Sequence, residues 1–284
     1  MVEAPKRPQH LSVALPSSLT QDVPHLREKT GRVGLIARAL AIFRVEEVVI
    51  YNDRPGGGAE SEGKLLEKLL TYQETPQYLR KSLFARDPDL QFAGTLPPLR
   101  SPNHPDPEGP KVGQLRDGVV LESGNRSKVD AGFRIPVQVS SRAKLLDKVT
   151  VRLTRTSPQL EAEVVDPSGL AIYWGFRVTR GNLRLSDLVK SGKQDLTIST
   201  SRKGRIVREV VADLTIRWKS SRRPIVLFGS PDEGVPEILS REATRVAEVA
   251  DFNLNTIPNQ GVETVRTEEA VLATLSVLNL LEEV

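Results

Sequence analysis

The sequence contains no cysteine and little histidine or methionine. Among 284 residues there are three histidines and one methionine. Without cysteine, the protein has no disulfides, thiolate nucleophiles, iron–sulfur clusters or thiolate zinc sites. His10, His25 and His104 are scattered and show no spacing typical of metal ligands. We therefore expect no metal centre.

Long hydrophobic runs are also missing. No stretch of about 18 apolar residues occurs, which would be the minimum for a membrane-spanning helix. The first residues lack the charged, apolar and small-residue regions of a signal peptide. We therefore expect a cytoplasmic protein that makes no membrane contact. Its 38% hydrophobic residues still suffice for a sizeable core, so the chain should be globular.

The length exceeds that of a usual single domain, and the pattern of elements changes twice along the chain. Strand and helix signals alternate at both ends, where residues 27–44 are predicted to form a helix. Between the two ends lie roughly five short predicted strands with Gly and Pro turns, at residues 112–121, 133–139, 149–155, 160–165 and 172–178. Five such strands favour a small OB-like barrel, although a small sandwich would give the same pattern. Neither flank alone has enough strands for a covered parallel sheet, so we expect an α/β domain with a parallel sheet that is interrupted by the barrel. The predicted parts are an amino-terminal α/β part at 1–88, a linker at 89–110, the inserted barrel at 111–193 and a carboxy-terminal α/β part at 194–284.

Positive charge is concentrated in the predicted barrel. The chain carries a net charge of +4, but residues 111–193 carry +7, which leaves −3 for the rest. Tyr173 and Trp174 lie beside Arg177 and Arg180, a combination that is able to stack on bases and neutralise phosphates. The alternative, equally supported by the pattern, is an aromatic strand that packs inside the barrel and leaves solvated arginines outside.

Three predicted strands in the final third each end in a turn of small or polar residues. In an open α/β sheet the carboxyl ends of parallel strands form the ligand crevice, so these turns are expected to converge there. By contrast, the GxxxxGK match at residues 58–64 lacks the hydroxyl that would hold magnesium, which argues against NTP hydrolysis. Backbone amides and carbonyls of such strand-end turns are able to read an adenine ring. The candidate ligand-contacting residues of the three turns are Thr200, Ser201, Gly229, Ser230, Pro231, Asp232, Glu233, Gly234, Asn255, Thr256, Ile257, Pro258 and Gly261.

The amino-acid sequences of these turns and their order along the chain resemble those of SPOUT-superfamily RNA methyltransferases. Residues 227–235 (LFGSPDEGV) resemble the superfamily's LGSEGEG or GPEGG turn, and residues 257–266 (IPNQGVETVR) resemble the following IP turn and helix start. Residues 32–38 (RVGLIAR) are similar to the first motif, NVGxxxR, with Arg32 in place of the usual Asn. Residues 261–270 (GVETVRTEEA) look like the LGxRILRxETA segment of the uracil-N3 rRNA branch, with Glu263 where that branch has Arg.

Over nearly the whole chain the sequence resembles the archaeal and eukaryotic SPOUT group that carries an OB-fold insertion. Residues 51–55 (YNDRP), 129–133 (VDAGF) and 173–176 (YWGF) contribute to this resemblance. It implies a deep trefoil knot near the carboxyl terminus, S-adenosylmethionine bound by the knot loops, and a homodimer. The implied activity is methylation of RNA, expected on rRNA at uracil N3. Ribose 2′-O methylation and a non-catalytic ribosome-assembly scaffold remain as alternatives.

Few catalytic side chains are needed with an activated methyl donor. Arg38 and Arg266 are the candidates for stabilising a uracil anion as its N3 proton leaves. Arg54 is a candidate for orienting an RNA phosphate, with a surface ion pair as the alternative role for such arginines. Glu268 is able to accept a proton, but at the second position of a helix it is expected to complement the helix N-terminus.

Overall fold

The computed structural model of the chain describes residues 4–55 and 58–282. They form two compact units. The first, called the barrel unit, comprises residues 4–6, 72–90 and 99–175. The second, called the parallel-sheet unit, comprises residues 7–55, 58–71, 91–98 and 176–282.

The elements are numbered in chain order. The strands are β1 (Ser12–Pro16), β2 (Glu47–Tyr51), β3 (Leu115–Glu122), β4 (Ser127–Asp130), β5 (Val137–Val139), β6 (Lys148–Arg155), β7 (Glu161–Val165), β8 (Arg177–Arg180), β9 (Leu196–Ile206), β10 (Pro224–Leu227) and β11 (Phe252–Asn255). The α-helices are α1 (Leu26–Ile42), α2 (Ala59–Glu74), α3 (Gln77–Leu83), α4 (Leu185–Lys190), α5 (Val207–Ser220), α6 (Val235–Arg241), α7 (Val246–Val249) and α8 (Thr267–Asn279). Short 3-10 helices cover Pro88–Leu90, Ala93–Thr95, Pro167–Gly169 and Leu280–Glu282.

The parallel-sheet unit is built around a six-stranded sheet in the order β11-β9-β10-β1-β2-β8. Every neighbouring pair in it is parallel. All residues of β1 and β10 are buried, as expected for central strands of a covered parallel sheet. One core cluster of the unit consists of Ala14, Tyr51, Leu185, Leu188, Ile225, Leu227, Val235, Ile238 and Leu239. The predicted α/β part with a parallel sheet is confirmed.

Helix α1 shows how local sequence builds this unit. Val33, Ile36 and Leu40 recur at helical spacing and are all fully buried. Gly34 allows the close approach of the segment after the second 3-10 helix, because a Cβ at Gly34 would lie 2.9 Å from Pro97 Cδ. The predicted helix at 27–44 is confirmed, except that Phe43 becomes its C-cap.

The barrel unit contains a closed five-stranded barrel in the order β3-β4-β5-β7-β6. Strand β3 closes it by pairing with both β4 and β6. Only the β5–β7 pair is parallel among the pairs of this barrel. Its core consists of small and branched apolar side chains: Val120, Val129, Ala131, Val137, Val139, Val151, Leu153, Leu160 and Ala162. The sequence-based expectation of a small five-stranded barrel is confirmed.

One strand of that barrel was assigned wrongly from the sequence. The run at 172–178 was expected to be a barrel strand, but Gly175 adopts φ +85° and interrupts it. The residues after it form β8, which pairs with β2 in the parallel sheet. The remaining barrel strand is β4, whose Ser127 and Val129 are buried while Lys128 is exposed. Strand β4 has only four residues and begins with a polar one, so its sequence gives a weak strand signal.

The edges of the units also differ from the predicted parts. Residues 176–193, predicted as barrel, belong to the parallel-sheet unit, whereas residues 72–88 belong to the barrel unit. The predicted linker at 89–110 is divided between the two units and carries two of the short 3-10 helices. In the described part of the chain, no helix combines the length and apolar character needed to cross a bilayer.

Candidate functional site

A cavity of about 230 Å³ lies at the carboxyl ends of β10 and β11 and beside residues 200–202 within β9, in the parallel-sheet unit. Three neighbouring strands of one parallel sheet bring their following loops to the same edge. The cavity is lined by Thr200, Ser201, Arg202, Phe228, Gly229, Ser230, Pro231, Asp232, Glu233, Gly234, Leu254, Asn255, Thr256, Ile257, Gln260, Glu263, Thr264, Val265, Thr267, Ala270 and Thr274.

The loop after β10 is a tight turn closed by its own backbone. Ser230 N donates to Glu233 O over 2.8 Å, and Glu233 N donates to Ser230 Oγ over 3.1 Å. A Cβ at Gly229 would lie 2.5 Å from Glu233 O and 2.8 Å from Gly234 Cα. The buried Tyr51 hydroxyl donates to Phe228 O over 2.7 Å and fixes the start of the turn. Glycine at position 229 is therefore a requirement of the turn.

The loop contributed by β9 arises from a break in strand pairing. Asn253 of β11 pairs with Ser199, but the next residue, Leu254, pairs with Arg205. The five intervening β9 residues, 200–204, leave the ladder, and three of them line the cavity. Thr200 Oγ1 donates to Leu227 O over 2.8 Å and holds this bulge against β10.

The loop after β11 is joined to helix α8. Ile257 N donates to Asn255 Oδ1 over 3.0 Å, which bends the loop around the asparagine side chain. The hydroxyls of Thr256 and Thr274 lie 2.8 Å apart. Thr267 Oγ1 donates to Gly229 O over 3.3 Å, so α8 contacts two of the three loops.

The lining of the cavity carries three carboxylates, from Asp232, Glu233 and Glu263. Its arginine, Arg202, donates to the backbone oxygen of Glu263 over 2.6 Å. At the rim, Arg54 donates to Asp232 over 2.7 Å, and this hydrogen bond raises the pKa of Arg54 above its usual value. Glu233 is likewise paired, with Arg241 over 3.0 Å, so among the described residues Glu263 is the lining carboxylate that no cation neutralises.

The structure brings most of the predicted ligand-contacting residues together. Of that set, only Pro258 and Gly261 are absent from the lining. Sequence reasoning missed the contribution of α8, whose Thr267, Ala270 and Thr274 line the cavity. Their i, i+3, i+7 spacing is the signal of one helix face. The other lining residues that were missed are Arg202, Phe228, Leu254, Gln260, Glu263, Thr264 and Val265.

The two arginines predicted as catalytic do not line the cavity. Arg38 donates to Pro98 O over 3.1 Å from helix α1. Arg266 is exposed and precedes α8, between the lining residues Val265 and Thr267. Glu268 is 9% exposed and pairs with Arg32, its Oε1 lying 3.3 Å from Arg32 Nε. This ion pair supports the structural role expected for Glu268.

The aromatic residues predicted to stack on bases occupy a packed position. Tyr173 is 2% exposed, so its ring offers no face to RNA, and its RNA-binding assignment was wrong. Trp174 is half-buried and donates its Nε1 to Asp117 Oδ1 over 2.7 Å. Arg177 and Arg180 lie on β8 in the other unit and pair with Glu47 and Glu67. The break at Gly175 separates the two pairs, and neither aromatic residue belongs to the barrel core cluster, so the alternative of an aromatic strand packed inside the barrel is not observed either.

The described residues contain no group of three or more His, Asp or Glu side chains placed to hold a metal ion.

Comparison with known proteins identifies the family. A sequence model described as "Putative RNA methyltransferase" matches residues 10–278. A Halobacterium salinarum protein is 37% identical over 290 residues, covering 95% of this chain and 99% of its own length. The human 28S rRNA (uridine-N(3))-methyltransferase is 32% identical over 302 residues, covering 96% of this chain and 78% of its own length. The Drosophila melanogaster protein of the same name is 28% identical, covering 95% of this chain and 62% of its own length. The chain therefore belongs to this family of RNA methyltransferases.

Proposed function

We propose that the protein uses S-adenosylmethionine to methylate N3 of a uridine in large-subunit rRNA. The observation that carries this proposal is the cavity formed by three strand-end loops in a chain that belongs to an RNA methyltransferase family. The human and Drosophila relatives whose names specify uridine N3 of 28S rRNA support the acceptor. So does the resemblance of residues 261–270 to the uracil-N3 branch.

The residues around the cavity fit S-adenosylmethionine. Backbone groups and hydroxyls of the three loops suit an adenosine, as do the apolar side chains of Phe228, Leu254 and Ile257. The Glu263 carboxylate suits a ligand whose sulfonium and ammonium groups are positive, while Asp232 and Glu233 are already paired with Arg54 and Arg241. When bound there, the cofactor supplies a methyl group that needs no further activation.

The chain itself has to hold the uridine, assist loss of its N3 proton and exclude water. Arg266 is the better candidate for stabilising the anionic uracil, because its neighbours in sequence line the cavity while its own side chain is exposed. Arg38 is the second candidate, placed on α1 near the 91–98 segment. Arg54, which bonds Asp232 at the cavity rim, is proposed to contact an RNA phosphate.

The architecture is proposed to be that of the SPOUT superfamily, with a trefoil knot formed by the segments that carry the cavity loops and an OB-like barrel. A homodimer is supported by apolar side chains that α1 and the end of the chain expose. Leu35 and Ile42 of α1 are 60% and 51% exposed, and Leu272 and Leu280 are 48% and 62% exposed. Helices α1 and α8 contact each other, so these side chains belong to adjoining elements.

The test has two measurements. Calorimetry should detect S-adenosylmethionine binding to the wild-type protein and its loss in Gly234→Trp. Gly234 lines the cavity, and a Cβ there would already lie 2.7 Å from Glu237 Oε2, so an indole would displace the loop after β10. Gly94→Trp is the control, because Gly94 is exposed with no neighbour within 4 Å of a Cβ. Incubation with labelled cofactor and an unmodified large-subunit rRNA transcript should then yield 3-methyluridine by nucleoside mass spectrometry.

Each alternative has its own outcome. A 2′-O-methylated nucleoside without 3-methyluridine would replace base methylation by ribose methylation. Cofactor and RNA binding without either product, on several unmodified rRNA transcripts, would favour a ribosome-assembly scaffold. Unchanged cofactor binding in Gly234→Trp would show that the proposed cavity is the wrong one.

A further inference from the structure

Two loops at one end of the barrel carry exposed cations. The β3–β4 loop covers residues 123–126 and the β5–β6 loop covers residues 140–147. Strand β4 is antiparallel to both β3 and β5, so the two loops lie at the same end of the barrel. Arg126 belongs to the first loop, and Arg142 and Lys144 to the second, and all three residues are exposed.

The hydroxyl of Ser127 connects these two loops. Ser127 is fully buried, and its Oγ donates to Ser141 O over 3.0 Å. The same oxygen accepts from Ala143 N over 3.1 Å and lies 3.2 Å from Gly124 O. The loops are therefore held side by side, and their cations form one patch, which we call the two-loop patch.

The cations of the two-loop patch differ from four other cations of the barrel unit in their pairing. In the described part of the chain Arg134 of the β4–β5 loop is also without an ion pair, but it is a single cation. Each of the following has a carboxylate partner at about 3 Å: Lys111 with Glu108, Lys128 with Glu122, Arg152 with Glu163 and Arg155 with Glu161. Across residues 4–55 and 58–282, Arg126, Arg142 and Lys144 have no ion-pair partner. Their charge is available to an anion from outside, while the paired cations are already partly neutralised.

Apolar side chains accompany these charges. Leu145 and Leu146 follow Lys144 in the same loop and are 52% and 59% exposed. Cations beside exposed apolar groups match a chain that offers both phosphates and unstacked bases, which is single-stranded nucleic acid. Double-stranded RNA is recognised through its backbone and 2′-hydroxyls, so it would offer the leucines no base faces to contact.

We propose that the two-loop patch is a docking surface for a single-stranded segment of the RNA substrate. This inference rests on the proposed function, because the RNA is the substrate of that reaction. Arg126, Arg142 and Lys144 bind phosphates, and Leu145 contacts base faces. The patch replaces Tyr173 and Trp174 as the RNA-binding region of the barrel unit.

The test is RNA binding as a function of salt, with the full-length protein, a large-subunit rRNA transcript and a 20-nucleotide polyuridine. Each neutralised phosphate contributes about 0.7 to the slope of log affinity against log salt for a single strand. The triple variant Arg126→Ala, Arg142→Ala, Lys144→Ala should therefore lower the slope by about 2. Leu145→Ser should weaken binding and leave the slope unchanged.

The matched control removes the same charge from paired cations of the same unit: Lys111→Ala, Arg152→Ala, Arg155→Ala. It should keep a slope close to that of the wild type, and both triple variants should bind S-adenosylmethionine normally in calorimetry.

Three results would each overturn the patch: equal loss of RNA binding in both triple variants, loss of cofactor binding in the patch variant alone, or wild-type RNA binding in the patch variant. The last result would point to a protein partner instead. A wild-type protein that binds RNA through the patch but forms no methylated nucleoside would overturn the proposed function and keep the docking surface.

Discussion

His10 illustrates at the scale of one residue how charge is used in the parallel-sheet unit. Its Nδ1 lies 3.2 Å from Glu46 Oε2, and its Nε2 lies 3.6 Å from Glu47 Oε2. Hydrogen bonds to Glu46 and Glu47 raise the pKa of His10 from 6.5 to about 9. The hydrogen bond from His10 is also the main cause that lowers the pKa of Glu47 from 4.5 to about 2. The imidazolium and the carboxylates thus stabilise the folded state together.

The pH dependence of this stabilisation has a definite sign. A raised histidine pKa stabilises the fold fully below pH 6.5, and the contribution disappears as pH rises through about 9. The Glu47 contribution is present above pH 4.5 and disappears as pH falls towards 2. His10→Gln should therefore lower Tm by about 2 to 4 °C at pH 6, since His10 is partly exposed, and by less at pH 10. Thermal melts followed by circular dichroism at both pH values check this; an equal loss at both would contradict it.

Arg32 explains one departure from the SPOUT first motif. Its Nε lies 3.3 Å from Glu268 Oε1, and its side chain also pairs with Asp22. The arginine side chain reaches from α1 to a nearly buried carboxylate at the start of α8. A buried carboxylate needs such a partner, so Arg32 and Glu268 are best understood as a pair.

Among the secondary-structure elements, β9 is the one on which the candidate site depends most. Its first part pairs regularly with β10 and β11, and the bulge at residues 200–204 then turns three residues towards the cavity. Gly204 ends the bulge beneath β11, because a Cβ there would lie 2.7 Å from Asn253 O and from Leu254 C. A side chain at this position would push the two strands apart.

Gly204→Val should therefore weaken both the fold and the site. We expect a loss of about 1 to 3 kcal/mol in the free energy of unfolding, as for other overpacked positions. S-adenosylmethionine affinity should also fall, because β9 and β11 carry two of the three cavity loops. Urea unfolding and calorimetry measure these effects. Gly181→Val is the control, since a Cβ at Gly181 would meet nothing closer than 3.5 Å. If the two variants bind the cofactor equally well, the bulge does not shape the site.

For the parallel-sheet unit as a whole, Arg7 joins an early part of the chain to a late one. It is 4% exposed and donates its Nε to Phe43 O over 2.8 Å and its Nη2 to Asn279 Oδ1 over 2.9 Å. Its Nη1 pairs with Glu282, which also accepts from Arg44 over 2.7 Å. The arginine thus fixes the end of α1 and the residues after α8 around one buried cation.

Removing Arg7 should destabilise this unit strongly. Breaking a buried pair leaves the partner uncompensated, and Arg7→Ala should cost about 3 kcal/mol, since Arg44 still neutralises Glu282 in part. The control is Lys64→Ala, which removes an exposed pair with Glu60 on α2 and should leave the urea midpoint almost unchanged. Urea denaturation of both variants gives the comparison. Similar losses in the two variants would show that the Arg7 cluster contributes no more than a surface pair.

Much of the molecule was determined by local sequence patterns. Burial and chain reversal were indicated by patterns close to the residues concerned. These patterns are the helical spacing in α1, the apolar runs in β1 and β10, and the polar turns after β9, β10 and β11. Those signals predicted a parallel sheet with a small barrel and the loops that line the cavity. The motifs in the same turns indicated an RNA methyltransferase family.

Only the tertiary structure decided which distant segments became partners. Short strands carry too little pattern to choose a neighbour, so β8 joined β2 instead of the barrel, and β4 completed the barrel. Local propensity likewise could not show how Tyr173 and Trp174 would be packed, because the burial of a side chain depends on segments that are far away in sequence. Contacts between distant segments also bring the hydroxyls of α8 to the cavity. In the same way they bring the loop of Arg126 beside the loop of Arg142 and Lys144. Long-range packing brings together residues whose local sequences carry no signal for the contact.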